Sequence, residues 1–347
     1  MMAWLRRLHA WTGAALCLLV AAVAFSGSVL TYRSAWVRAT VPGASAPADL
    51  SPAALARAMT AAEAAFGRER VSSVTFASDE VGVHQVYLKG GGGAYLDQSG
   101  VVVARWAPRE QMMDWLFELH RGLLADDLGD KVVGWIGVVL AAMTVSGLVL
   151  WWPARGAFKA RVLPGRGRGG WLRAHRDLGV MTAPFIVVLA LTGAALDLPD
   201  QARPLVGAVA APAPAAAGEG PVDWTAAVTA AMAAFPDARP RMGVEPGKAG
   251  AAASVRLRQP AEWHANGHTI VYLDPGDESV IEAFDAQAQA GGTRLYNSFW
   301  PIHAAKVGGP AWRFLVFASG LALGLLSLYG AEAYRRKLFP KRKVAFA

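Results

Sequence analysis

The chain has 347 residues, of which 54% are hydrophobic and only 17% charged, yet its formal net charge is +8. Soluble domains run roughly 45–50% apolar and about 25% charged, so an ordinary string of soluble domains is excluded, and a disordered chain with it. One cysteine, Cys17, cannot build a disulfide scaffold, and a basic excess dispersed among long apolar runs speaks for a lipid bilayer and for no nucleic acid.

Four uncharged stretches, residues 10–30, 132–152, 178–196 and 314–331, approach or reach the roughly 20 apolar residues that cross a bilayer. None alternates with the period of a barrel strand. In chain order the sequence predicts a first transmembrane helix within 1–32, an outer module over 33–131, a second helix at 132–152 and a basic loop at 153–177. A third helix at 178–198, a second outer module over 199–311, a fourth helix at 312–334 and a basic tail at 335–347 follow. The first apolar run exceeds the roughly 7–15 residues of a signal-peptide core, and Ala44-Ser45-Ala46 lies well beyond it, so an uncleaved anchor is expected. Each outer module predicts an Ala-rich helix, ending near Phe66 or Phe235, then short strands and a hairpin at Tyr95-Leu96-Asp97 or Tyr272-Leu273-Asp274. The Ala/Pro/Gly stretches 41–48 and 209–221 read as linkers.

Basic residues set the orientation. Arg6 and Arg7 precede the first span. Arg155, Lys159, Arg161, Arg166, Arg168, Arg173 and Arg176 lie between the second and third, and Arg335, Arg336, Lys337, Lys341, Arg342 and Lys343 follow the fourth. Only Asp177 and Glu332 accompany them as acids, whereas the two long segments hold more acids than bases. Both termini are therefore expected in the cytoplasm, with the two modules facing outward, into the periplasm if the cell has two membranes.

The chain repeats itself. His9-x3-Gly13-x13-Gly27 recurs 166 residues on as His175-x3-Gly179-x13-Gly193, and His120 and Gly147 recur 183 residues on as His303 and Gly330. The expected fold is thus a membrane α-helical bundle of four transmembrane helices built by internal duplication, with two periplasmic α+β modules. Ionisable residues at span edges are functional candidates. His9 and His175 share one depth and His120 and His303 the other, with about 30 Å of hydrocarbon between them. Imidazoles at matching depth on facing helices are how bundles hold a metal or a haem iron, and two such pairs predict two bis-histidine b-type haems. Gly13 and Gly179 stand one turn from their histidines. Gly27 and Gly193 lie on the same face about 27 Å along the axis, near the other pair's depth, so each helix is expected to offer a ligand, or space, to each cofactor. With no Cys-x-x-Cys-His, covalent haem attachment is excluded. His264 and His268 are expected in a solvated hairpin loop, His84 has no partner in sequence, and Cys17 reads as a packing residue.

Leu8-His9 with Thr12-Gly13, Leu119-His120-Arg121-Gly122-Leu123-Leu124, Ser146-Gly147-Leu148-Val149-Leu150-Trp151-Trp152 and Pro301-Ile302-His303 resemble the PepSY-associated transmembrane helix family. The Tyr-Leu-Asp hairpins resemble PepSY domains. The resemblance covers nearly the whole chain and implies an inner-membrane, iron-regulated protein or siderophore reductase. In such proteins His9, His120, His175 and His303 would be the axial ligands of two haem b groups, and a ferric siderophore would be reduced in the periplasm. The chain departs from the family pattern at Lys306-Val307-Gly308-Gly309, before the fourth span.

The expected activity is electron transfer across the membrane to Fe(III), which hard oxygen ligands release more readily as Fe(II). No flavin or nicotinamide motif is present, so the donor is expected to be a quinol or a cytoplasmic protein. Trp115, Trp263, Trp300, Arg105 and Arg294 are candidate substrate contacts. Two other readings stay open: a non-enzymatic PepSY-type membrane regulator or protease inhibitor, and a cytochrome b subunit of a larger oxidoreductase.

Overall fold

Charge alone does not end a helix, and the apolar stretches lie within helices that run past them. In the computed structural model, which describes residues 2–339, α1 covers Met2–Leu30 and is followed by α2 (Arg33–Thr40), α3 (Pro52–Phe66), β1 (Val71–Thr75), β2 (His84–Leu88), β3 (Gly93–Leu96) and β4 (Val102–Trp106). Next come α4 (Met112–Gly122), α5 (Asp126–Trp151), a 3-10 turn at Trp152–Ala157, α6 (Gly167–Asp197), α7 (Pro199–Val206) and α8 (Trp224–Ala234). β5 (Arg239–Val244), β6 (Ala253–Arg258), β7 (Thr269–Leu273), β8 (Val280–Phe284), α9 (Gly291–His303) and α10 (Gly309–Leu338) complete the chain. Of the expected basic tail, Lys341, Arg342 and Lys343 lie outside the described residues.

Among the described residues four helices are long and apolar enough to cross a membrane: Met2–Leu30, Asp126–Ala157, Gly167–Asp197 and Gly309–Leu338. The protein is a multi-pass membrane protein. At 1.5 Å per residue each exceeds the roughly 30 Å hydrocarbon core, so Arg168, Arg173 and Arg176, expected in a loop, form the first turns of α6. Asp177, with a fully buried side chain, receives Arg161 at 2.7 Å and Arg176 at 2.8 Å and accepts the backbone N–H of Lys159. The basic segment is thereby tied to the helix it precedes.

The chain divides into two compact units. One comprises the chain up to Thr31, Leu116–Ala202 and the chain from Ile302. Here α1 packs on α10, α10 on α6, α6 on α5 and α5 on α1, a closed ring with α1 and α6 on one diagonal and α5 and α10 on the other. Small residues let the backbones approach: Gly320 and Gly324 of α10 face Ser28 and Phe25 of α1, and Gly137 of α5 faces Ala190 and Ala194 of α6. Ala174, Leu178, Ile186, Ala322, Leu326 and Tyr329 fill the seam between α6 and α10.

The other unit joins Tyr32–Trp115 to Arg203–Pro301. The sequence predicts two separate modules. Instead the strands form one antiparallel sheet in the order β4-β3-β2-β1-β5-β6-β7-β8, with β1 and β5 paired at Ser73↔Val244, Val74↔Gly243 and Thr75↔Met242. Each four-stranded meander would leave an edge of unpaired backbone groups, and the two edges satisfy each other. α3 and α8 cover one face and share a core with Val74, Val86, Val255, Leu257 and Val271. Ser51 caps α3 and Asp223 caps α8, each side chain accepting first-turn N–H groups. Asp97 and Asp274 organise the hairpins by accepting Ser99 and Val101, and Gly276 and Gly218, respectively. Neither expected linker is loose: Ala44 is buried beside Val83 and Tyr95, and Pro212 accepts the Tyr272 hydroxyl.

Between α3, α8 and β5, the Trp224 indole N–H reaches Glu63 at 2.8 Å and Glu245 at 3.1 Å, while Arg68 lies 3.4 Å from Glu245. Burial, with the adjacent Glu63 carboxyl, pushes Glu245 up from 4.5 to about 8. The folded state therefore keeps a proton that the unfolded chain releases, and stability falls as pH rises from about 4.5 to 8. Glu245→Gln, which cannot ionise, is expected to unfold at higher temperature than the native chain at pH 9. That advantage should vanish by pH 5, as circular-dichroism melting in detergent would show.

Candidate functional site

Four half-buried imidazoles meet in two pairs inside the helical unit. His9, on α1, faces His175, on α6, across one diagonal, with ring centroids 6.3 Å apart and planes at 80°. His120 and His303 face each other with centroids 5.9 Å apart and planes at 38°. The latter two are carried by separate helices, α4 and α9, which lead into α5 and α10. Sequence patterning did not delimit α4 and α9, because 11 and 13 residues of mixed polarity form no apolar span.

Each ring is oriented through Nδ1 by a helix other than its own. His175 Nδ1 pairs with the Leu326 carbonyl on α10 at 2.9 Å, His120 with the Val23 carbonyl on α1 at 2.8 Å, and His303 with the Leu189 carbonyl on α6 at 3.0 Å. His9 pairs with the Ser146 hydroxyl on α5 at 2.8 Å, and that hydroxyl donates onward to the Met143 carbonyl. An acceptor at Nδ1 places the proton there and leaves Nε2 as a free lone pair. None of the four Nε2 atoms has a hydrogen-bond partner among the described residues. The contacts follow the sequence repeat: Val23 and Leu189 stand 166 apart, and Met143 and Leu326 stand 183 apart.

Gly27 and Gly193 lie at the depth of His120 and His303, as the 18-residue spacing predicts, and Gly147 and Gly330 lie at that of His9 and His175. Gly27 lies against His120, Gly193 against His303, Gly147 against His9 and Gly330 against His175. They make room for the imidazoles themselves. Gly13 and Gly179 face Met143 and Leu326, so they serve helix packing. Ser146 was legible only as the neighbour of Gly147, and the carbonyl acceptors have no sequence signal at all.

The pairs fit a porphyrin iron. Two imidazoles on one metal place their ring centres about 6.2 Å apart, each nitrogen lying about 2 Å from the ion and about 1.1 Å from its ring centre. The observed 6.3 and 5.9 Å bracket that spacing. No group of three or more His, Cys, Asp or Glu suited to an ion occurs among the described residues. Two ligands are too few for a bare zinc-type site, which takes about four, but two histidines would suffice to hold a haem iron.

The remaining histidines are not on solvated loops. His264 is 8% exposed, its ring 4.3 Å from Trp300 and 4.2 Å from His268, centroid to centroid. His84 is fully buried against Phe76; its Nδ1 accepts the Ala77 N–H, and burial lowers its pKa to about 4. Cys17 donates to the Ala14 carbonyl. Of the other proposed contacts, Trp115, Trp263, Arg105 and Arg294 are exposed and only Trp300 joins the histidines.

The family model for the PepSY-associated TM region matches residues 6–337. No curated protein sequence matches the chain.

A Cβ at position 27 would stand 2.5 Å from His120 Cε1, and one at 193 would stand 2.7 Å from His303 Cε1, against 3.4 Å for 147 and 3.3 Å for 330. Gly27→Ala and Gly193→Ala are therefore expected to displace their rings at a cost of about 1–3 kcal/mol. Gly147→Ala and Gly330→Ala should cost less, an order that unfolding midpoints of the four variants would check.

Proposed function

Because the chain belongs to the PepSY-associated TM family, and because it holds two pairs of facing imidazoles, we propose that it is a b-type cytochrome of the bacterial inner membrane that delivers electrons to a ferric siderophore in the periplasm. The observation that carries this reading is the pairing itself, four rings with Nδ1 engaged and Nε2 free, at the spacing of a bis-imidazole iron. His9 with His175 would hold one haem b and His120 with His303 a second. A haem bound there supplies one-electron redox chemistry, its potential set by ligands and surroundings.

The protein's own groups do the rest. The carbonyls of Val23, Leu189 and Leu326 and the hydroxyl of Ser146 fix each imidazole's tautomer and raise its basicity as a ligand. Repetition of this arrangement at constant sequence offsets supports an origin by internal duplication, with a PepSY-like half-sheet in each repeat. The sorting of Lys and Arg supports cytoplasmic termini, which puts Tyr32–Trp115 and Arg203–Pro301 outside. A quinol is the donor that best suits a chain without a nucleotide motif. Each quinol oxidised to quinone releases two electrons and two protons and reduces two Fe(III) to Fe(II), which oxygen chelators hold less tightly.

The detergent-purified protein is expected to show a reducible low-spin haem spectrum, two haems per chain, resolving into two components on redox titration because the two pairs differ in ring geometry. His9→Ala and His175→Ala should each abolish the same component, and His120→Ala and His303→Ala the other. A colourless protein would overturn the reading in favour of a non-enzymatic regulator.

A further inference from the structure

The face of the sheet turned away from α3 and α8 carries a group of donors that the function proposed above does not use. Along β6, Val255 and Leu257 enter the core, so Arg256 and Arg258 project from the opposite face. Arg241 lies on the neighbouring strand β5, at the bulge where Pro240 pairs with Leu257 and Met242 with Arg256. The Nε–H groups of Arg241 and Arg256 are buried without a hydrogen-bond partner, a costly state for a charged donor. Beside them His264 is wedged between His268 and Trp300. His264 Nδ1 accepts the Asn266 N–H at 3.1 Å, so the neutral ring carries its proton on Nε2 and is a third donor. Burial first, then His268 and the three arginines, hold His264 down to about 2, so it adds no charge of its own.

The acids nearby are engaged. Glu262 accepts the N–H groups of Gln259, His268 and Thr269 and the Thr269 hydroxyl, scaffolding the turn. Asp79 pairs with Arg239 at 3.0 Å, and Glu80 accepts the Ser34 hydroxyl. Arg239, Arg241 and Arg258 line a cleft together with Ser78, Asp79, Glu80 and Ala265, and Arg241 Nη2 lies 3.5 Å from Asn266 Oδ1. Asp79 and Glu80 also line the cleft, but each is already engaged, so the two Nε–H donors are left without an acceptor.

The geometry points to a binding site for a small oxyanion-bearing ligand, seated on the guanidinium N–H groups of Arg241 and Arg256 and flanked by the His264–Trp300 stack. The anionic, carboxylate-rich surface of an Fe(III) chelate is the class that suits it. That choice of class rests on the function proposed above; the oxyanion site itself does not.

The test is isothermal titration of the full-length protein in detergent with gallium(III) citrate, a redox-inert stand-in for ferric citrate, and in parallel with citrate and with inorganic phosphate. Gallium citrate is expected to bind at least about tenfold tighter than either metal-free anion, and Arg256→Gln and Arg241→Gln each to weaken it about tenfold or more. His9→Ala and His175→Ala should bind as the native chain does, so failure of the haem reading and failure of this one are separately visible. Equal binding of citrate and gallium citrate would keep the oxyanion site and overturn the chelate. Should the arginine variants unfold, amide hydrogen exchange on the native chain decides, with gallium citrate expected to slow exchange across 239–244 and 253–268. No binding of any probe, or unchanged affinity in both folded arginine variants, overturns the proposal.

Discussion

The hydrogen bond from each imidazole Nδ1 to a neighbouring helix is the constraint on which the bundle depends. His9 and His175 sit on α1 and α6 and are held by α5 and α10, while His120 and His303 sit on α4 and α9 and are held by α1 and α6. α1 and α6 therefore present a ligand ring of one pair and a carbonyl to the other. A helix can do both only if it is long enough to reach two depths and if glycine stands wherever a foreign ring meets it. Those two conditions account for the lengths of α1 and α6 and for Gly27 and Gly193. Three of the four acceptors are main-chain carbonyls, so ring orientation is set by helix placement rather than by the identity of a partner side chain.

The pairing of β1 with β5 plays the corresponding part in the second unit. Residues from two segments more than a hundred positions apart share one ladder and one core, with Trp224 of α8 reaching Glu63 of α3 across the join. Two separate modules would each expose an edge strand with unpaired backbone groups. One sheet of eight strands removes the exposed central edges and buries a common face. On the opposite face of β5 and β6 the Nε–H groups of Arg241 and Arg256 stand without hydrogen-bond partners.

Much of this was legible in sequence, for identifiable reasons. The four long helices follow from apolar run length, and the pairing of histidines from two offsets that hold across glycines and histidines together. The hairpins at Asp97 and Asp274 follow from turn chemistry. The joined sheet was not legible, since edge-to-edge pairing leaves no local pattern in either strand. His264 read as a loop residue because its Asn-Gly neighbourhood signals a turn. The turn exists, but Trp300, from a distant helix, closes over it. The reach of α6 to Gly167 was hidden by its arginines, which hydropathy counts against a span although helical hydrogen bonding is indifferent to them.

The repeat also shows where the two halves have parted. The Met143 carbonyl occupies the place of Leu326, yet His175 meets its carbonyl directly while His9 reaches its own through Ser146, and position 329 holds Tyr where 146 holds Ser. The two rings of that pair are therefore held by unlike acceptors, a hydroxyl for His9 and a main-chain carbonyl for His175. At the other end both acceptors are carbonyls, and His303 has the Thr192 hydroxyl close by as well. The repeat relates His9 to His175 and His120 to His303, so perfect repetition would make the two rings within each pair equivalent and would leave the two pairs distinct. The pairs differ on other grounds, planes at 80° against 38° and rings carried by the long helices α1 and α6 against the shorter α4 and α9, while Ser146 marks where the symmetry within the first pair is broken.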